Sequence, residues 1–85
     1  MMIVHNFNML KNILASRLKE LRLKSKLTQI SISTEMKIPP RLYQYYESEK
    51  NKRLPSCETL IKISNYHNVS IDYLLGQSNN PETNK

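Results

Sequence analysis

Glycine and cysteine are scarce in this 85-residue chain, with one residue of each, and tryptophan is absent. A sheet connected by tight turns needs glycine repeatedly, so its scarcity favours helices. A single cysteine excludes a disulfide or a cysteine-based metal site within the chain, and it fits a reducing, cytoplasmic compartment. No apolar run approaches the roughly 18 residues of a membrane-spanning helix, so no membrane association is expected.

Acidic residues are also few, with seven Asp and Glu against thirteen Lys and Arg and a net charge of +6. Residues 1–53 carry eleven of the basic and four of the acidic residues. This imbalance suggests a face that binds a polyanion, with an ordinary basic surface as the alternative. The sequence shows no nucleophile–base pair, carboxylate pair or glycine-rich phosphate loop. Cys57 and His67 are too far apart on one predicted helix to share a metal. We therefore expect no enzyme activity, metal or cofactor.

The spacing of apolar residues predicts an all-α fold of five helices. The helices are expected at about residues 13–24, 29–36, 40–48, 57–67 and 71–75. Leu14, Leu18 and Leu21 mark the core face of the first helix, and Thr28 is the expected N-cap of the second. We expect residues 1–12 to form an N-terminal arm that is irregular over residues 1–8, residues 13–77 to form one domain, and residues 78–85 to form a polar C-terminal tail that is mobile from residue 79.

The segment LTQISISTEMKIPPRLYQYYE, residues 27–47, contains two of these helices joined by a tight turn. This arrangement is typical of a helix-turn-helix unit, whose second helix fits the major groove of DNA. In that helix Leu42, Tyr43 and Tyr46 share an apolar face, so the two tyrosines are predicted to lie in the core. The opposite face carries residues 41, 44, 45 and 48, which are spaced by three, four or seven.

The blocks RLKELR, LTQ, YYE, LPSCETLIKIS and NVSIDYLLG occur in that order. Together they resemble the XRE family, the Cro and lambda-type repressor helix-turn-helix domains, from Arg17 to about Gln77. The resemblance implies a five-helix, lambda-repressor-like DNA-binding domain with helices two and three as the motif. It implies a sequence-specific transcriptional regulator, expected to be a repressor, that binds double-stranded operator DNA as a homodimer. The expected dimer surface is near helix five and the C-terminal end.

The resemblance also assigns DNA contacts. Gln29 would contact a phosphate, Arg41 can pair with guanine, and Gln44 can pair with adenine. The predicted DNA-contacting residues are Gln29, Pro40, Arg41, Gln44, Tyr45, Ser48, Lys50, Asn51, Lys52 and Arg53. Arg22 and Glu47 are expected to form a partly buried structural ion pair that fixes the angle between helix one and the recognition helix.

Several positions depart from the family pattern. Lys26 and Lys37 stand where the family favours glycine, and a left-handed non-glycine residue costs about 1–2 kcal/mol, so these turns are expected to differ. Pro39 and Pro40 replace polar residues. Helix three is therefore predicted to lack a side-chain cap, and Pro40 offers only an apolar contact, for example to a thymine methyl group. His67 replaces a large apolar residue.

Two other functions fit the same sequence. The first is an antitoxin-type helix-turn-helix protein that binds a toxin partner, or another regulator, as well as DNA. The second is a protein-interaction module that retains the fold without binding DNA. The basic segment at residues 50–53 and Arg41 favour DNA binding over the second alternative.

Overall fold

A computed structural model describes residues 6–48, 50 and 53–82. This part of the chain contains five helices and no strands, which confirms the predicted all-α fold. The helices are α1 (Phe7–Lys24), α2 (Gln29–Met36), α3 (Pro40–Glu47), α4 (Cys57–His67) and α5 (Ile71–Leu74). None of the helices in the described ranges is both long enough and apolar enough to cross a bilayer.

Helix α1 begins at Phe7, well before the predicted start near Ile13. The side chain of Asn6 accepts a hydrogen bond from the backbone N–H of Met9 at 2.9 Å, which caps the helix at this earlier point. Leu10 lies one turn before Leu14 and extends the apolar face in the same direction. The prediction of an irregular arm is therefore wrong for residues 7 and 8, and residues 9–12, which were placed in the arm before the first helix, are helical as well.

Side-chain caps also fix the starts of three other helices. Hydroxyl oxygens accept hydrogen bonds from backbone N–H groups three residues ahead, at Thr28 for α2, Ser56 for α4 and Ser70 for α5. Helix α3 has no such cap because Pro39 precedes it, as predicted. Proline at the first helical position loses no hydrogen bond that the helix needs.

The core lies where the helices converge. Helix α1 packs against α3 and α5, α2 packs against α3 and α4, and α4 packs against α5. The fully buried side chains are Leu14, Leu18, Ile32, Ser33, Tyr43, Ile63 and Leu74. Tyr43 and Tyr46 of α3 are both buried, which confirms that these two tyrosines belong to the core.

The turns after α1 and α2 were expected to differ from the family pattern, because lysine stands where the family favours glycine, but they keep a left-handed residue at these positions. Lys26 and Lys37 have φ values of 58° and 59°, in the left-handed region that glycine favours. After Lys37, the backbone N–H of Ile38 donates to the carbonyl oxygen of Ser33 at 2.9 Å and closes the turn between α2 and α3. The lysines thus adopt the left-handed conformation without changing the motif, and the associated strain remains.

Residues 78–82 contact the domain, although the sequence suggested a mobile tail. The Arg17 guanidinium lies 4.1 Å from the centre of the Tyr73 ring. It donates to the carbonyl oxygen of Ser78 at 2.9 Å and to the Asn79 side chain at 3.0 Å. The backbone N–H of Ser70 donates to the carbonyl oxygen of Pro81 at 2.9 Å. These contacts hold the segment beside α1 and α5.

Candidate nucleic-acid interface

Helix α3 separates a buried face from an exposed one. Tyr43 and Tyr46 point into the core, whereas Pro40, Arg41 and Gln44 are exposed. Arg41 and Gln44 are three residues apart, so their side chains leave the same side of the helix. The core thus fixes the rotation of α3 about its axis, and that rotation presents a guanidinium and an amide outward together.

A buried ion pair holds the end of α3 in place. Arg22 Nε lies 2.7 Å from Glu47 Oε2, and Arg22 Nη2 donates to Glu47 Oε1 at 3.2 Å. The third guanidinium nitrogen, Nη1, donates to the carbonyl oxygen of Leu27 at 3.1 Å. The Arg22 side chain is 13% exposed and that of Glu47 is 3% exposed. One arginine therefore connects α1, the turn before α2 and the end of α3.

The same carboxylate receives a third donor from α2. Gln29 Nε2 donates to Glu47 Oε1 at 3.1 Å, and the Gln29 side chain is half-buried. Gln29 was predicted to contact a DNA phosphate. One N–H of its amide is directed at Glu47, and an amide nitrogen carries a second N–H that can donate to another acceptor.

The titration of Glu47 follows from these contacts. Burial acts to raise the pKa of Glu47, but the hydrogen bonds from Arg22 and Gln29 favour the charged form, and the pKa falls below its usual 4.5. The buried Tyr43 hydroxyl makes no hydrogen bond within the described ranges. Burial raises the pKa of Tyr43, and the interaction of its hydroxyl with the Glu47 carboxylate raises it further.

The predicted contact residues beyond Gln44 are arranged less regularly. Tyr45 is half-buried, with its ring 5.9 Å from that of Tyr46. Ser48 was expected to continue the helical face, but α3 ends at Glu47 and Ser48 has extended backbone angles. Its hydroxyl accepts from the backbone N–H of Lys50 at 3.1 Å. Ser48 thus shapes the start of the loop, and its place on the helical face is a wrong prediction.

The loop after α3 is basic where it is described. Lys50 and Arg53 are exposed, whereas Asn51 and Lys52 lie outside the described residues. Arg53 returns to α3 and lines a shallow pocket together with Pro39, which precedes the helix, and three residues of the helix itself. This pocket, which we call the Leu42 pocket, is formed by Pro39, Arg41, Leu42, Tyr45 and Arg53.

Neither Pro39 nor Leu42 was predicted from the sequence to line a binding surface. Leu42 was assigned only to the core face and Pro39 only to the missing cap. A signal was present, because Pro39, Leu42 and Tyr45 follow at intervals of three residues and lie on neighbouring positions along one side of the helix. Among the described residues, no group of His, Cys, Asp and Glu is arranged to hold a metal ion.

Comparisons with known proteins identify relatives. The chain is 42% identical over 64 residues to the HTH-type transcriptional regulator ImmR of Bacillus subtilis, which covers 75% of this chain and 49% of ImmR. It is 42% identical over 66 residues to the uncharacterized HTH-type transcriptional regulator YqaE of the same organism, covering 76% of this chain and 55% of YqaE. YobD, another uncharacterized HTH-type transcriptional regulator, is 33% identical over 66 residues.

The chain spans about half the length of these curated relatives. No solved structure matches it. A family model described as helix-turn-helix, HTH_3, matches residues 18–74, which include all of α2, α3, α4 and α5 and the second part of α1. The chain therefore belongs to the HTH_3 helix-turn-helix family, in agreement with the predicted XRE-type membership.

Proposed function

We propose that this chain is the DNA-binding unit of a transcriptional regulator and that α3 reads duplex DNA in the major groove. The observation that carries the proposal is the outward presentation of Arg41 and Gln44 by a helix whose Tyr43 and Tyr46 are buried. The similarity to proteins named HTH-type transcriptional regulators supports the same function.

The exposed groups match the chemistry of DNA. Arg41 can donate two hydrogen bonds to guanine O6 and N7, and Gln44 can form a bidentate pair with adenine, each contributing about 1–3 kcal/mol of base discrimination. Lys50, Arg53 and the second N–H of the Gln29 amide would bind phosphates, which position the protein but carry no sequence information. Catalysis, metals and cofactors have no part in this function.

The proposal includes a homodimer that acts as a repressor in the cytoplasm. A single module of this size covers roughly 600–1,000 Å² of protein surface on DNA. Two copies on a two-fold operator, with half-sites about 34–36 Å apart, would double that surface. Binding at such an operator would repress by occupying the DNA that transcription requires.

The test is selection of bound sequences from a random duplex pool, followed by measurement of Kd for the selected duplex. A shared motif with two-fold symmetry is the expected result. Arg41→Ala should reduce discrimination at one guanine position by about 1–3 kcal/mol.

Lys11→Ala is the matched control, because Lys11 lies over the Phe7 ring at the distant end of α1. It removes one positive charge and should leave the base preference unchanged. If the full chain selects no sequence at low ionic strength, or if Arg41→Ala retains every preference, the proposed function is wrong.

A further inference from the structure

The Leu42 pocket is lined by both apolar and cationic side chains. Pro39, Leu42 and Tyr45 supply apolar carbon atoms, and Arg41 and Arg53 supply guanidinium groups. Pro39 and Arg41 are exposed, and Leu42 and Tyr45 are half-buried, so the pocket is open to solvent. No acidic side chain lines it.

This combination restricts the occupant. Two guanidinium groups favour a polyanion over an apolar peptide or a membrane. Within a DNA duplex, the only aliphatic group that projects from a base edge into the major groove is the 5-methyl group of thymine. The same methyl group occurs on 5-methylcytosine. A methyl group needs an apolar contact surface, which the carbon atoms of Pro39, Leu42 and the Tyr45 ring provide.

We propose that the Leu42 pocket binds the 5-methyl group of a pyrimidine beside the guanine that Arg41 contacts, with Arg53 on the adjacent phosphate. This inference rests on the proposed function and adds a second mode of base reading to it. Pro39 and Pro40 supply no side-chain hydrogen bond at the start of α3, so specificity there comes from shape and apolar contact. Leu42 is then a specificity-determining residue as well as a partner of the core.

The experiment uses the full chain and the duplex obtained by selection. Each thymine is replaced singly by uracil, which removes the methyl group and preserves every hydrogen bond of the base pair. At one thymine in each half-site, Kd should rise about fourfold, the factor expected for one buried methyl group. At that position, 5-methylcytosine paired with guanine should bind about fourfold more tightly than unmethylated cytosine paired with guanine.

Two variants assign the effect to the pocket. Leu42→Ala should bring the thymine-to-uracil ratio close to one. Gln44→Ala does not alter the pocket, so it should weaken binding and retain the fourfold ratio. Circular dichroism checks that Leu42→Ala is folded. If it is not, Pro39→Ser replaces an exposed wall of the pocket and should reduce the ratio in the same way.

The outcomes separate the two proposals. Sequence-selective binding that is indifferent to uracil at every position overturns the methyl-binding pocket and leaves the proposed function intact. A uracil effect that persists in both Leu42→Ala and Pro39→Ser places the methyl contact elsewhere and also overturns the pocket. Failure to select any duplex removes the proposed function and the pocket with it.

Discussion

Glu47 is the residue at which side-chain hydrogen bonds from α1 and α2 meet the end of α3. Its nearly buried carboxylate accepts two hydrogen bonds from Arg22 and one from Gln29. Removing one partner of a buried pair leaves the other charge uncompensated, which typically costs 3–5 kcal/mol. We expect Glu47→Gln to lower the free energy of unfolding by about 3 kcal/mol in urea denaturation at neutral pH.

The effect of Glu47→Gln should depend on pH. The folded-state pKa of Glu47 lies below the unfolded value of 4.5, so the stabilisation is complete above that value and is lost as pH falls through the folded pKa. The stability gap between wild type and Glu47→Gln should therefore narrow below about pH 4.5. Glu20→Gln, on the exposed surface of α1, is the control. An equal loss in both variants would refute a special role for the ion pair.

His67 is expected to destabilise the fold, because one of its ring nitrogens is buried without a hydrogen-bond partner among the described residues. Its Nε2 atom is buried without a hydrogen-bond partner in the described part of the chain, and burial lowers its pKa below 6.5. The unfolded state therefore binds the proton more readily, and stability falls as pH drops below about 6.5. We expect His67→Leu to raise the free energy of unfolding by about 1 kcal/mol at neutral pH.

The pH dependence gives an independent check on His67. The gain from His67→Leu should grow as pH falls from about 6.5 towards the lower folded-state pKa, since leucine has no proton to bind. Guanidinium denaturation at several pH values measures this difference. A variant less stable than wild type would mean that the imidazole makes a favourable contact, such as its edge-on packing 5.0 Å from the Tyr66 ring, that leucine cannot replace.

The burial of single residues was predicted correctly where helical spacing alone separated the core face of a helix from its exposed face. Tyr43 and Tyr46 were assigned to the core because they share a face with Leu42, and both are buried. Contacts between distant residues were harder to predict. The interaction of Arg17 with Tyr73 joins residues far apart in sequence, and no local spacing encodes it. The hydrogen bond between Gln29 and Glu47 was not predicted, for the same reason, although Gln29 was predicted to contact DNA and Glu47 to pair with Arg22.

The helices themselves were predictable to within a residue or two, with one exception. The starts of α2 and α4 follow from Thr28 and Ser56, which are strong N-cap residues. The start of α1 was missed because residues 6–12 are mixed in polarity, so the apolar pattern is clear only from Leu14 onward. Asn6 was the available signal, since asparagine is also a preferred N-cap residue.

The turn that ends α2 contains a strained residue that can be tested. Lys37 has a left-handed backbone with φ of 59°, and its own carbonyl oxygen accepts from Lys62 Nζ at 3.2 Å. Glycine at this position keeps the carbonyl and removes the clash of the β-carbon. We expect Lys37→Gly to raise the free energy of unfolding by about 1 kcal/mol, measured by urea denaturation.

Asn68 provides the matched comparison for Lys37. It ends α4 with φ of 54°, but asparagine tolerates this conformation better than lysine. Asn68→Gly should therefore change stability by only a few tenths of a kcal/mol. Equal gains from both substitutions would show that the lysine side chain carries no extra strain.

In the molecule as a whole, the buried core and the charged, exposed interface are formed by different residues. The five helices bury a small core, and this core fixes the position of α3 relative to α1 and α2. Sequence patterns predicted this arrangement because helical spacing is local. The spacing of Pro39, Leu42 and Tyr45 could have indicated the apolar part of the Leu42 pocket, but the position of Arg53 could not be predicted, because Arg53 reaches the pocket from the loop after α3. The interface is therefore less predictable than the fold that supports it.

The distribution of charge makes a prediction about salt dependence. Each phosphate neutralised by the protein contributes about 0.9 to the slope of log K against log salt concentration. If Arg53 binds a phosphate at the edge of the Leu42 pocket, Arg53→Ala should flatten that slope by about one unit. Fluorescence anisotropy with the selected duplex at several salt concentrations measures the slope.

Lys11→Ala tests whether the salt dependence of DNA binding is set by the position of a charged side chain or only by the net charge of the protein. Both variants remove one positive charge from a chain of net charge +6. Lys11 lies eleven residues before Arg22 on α1, which at 1.5 Å per residue is roughly 16 Å from the ion pair that anchors α3. A phosphate contact acts through counterion release at one site, so Lys11→Ala should leave the slope nearly unchanged. If both variants flatten it equally, a diffuse positive field rather than an aligned face attracts the DNA.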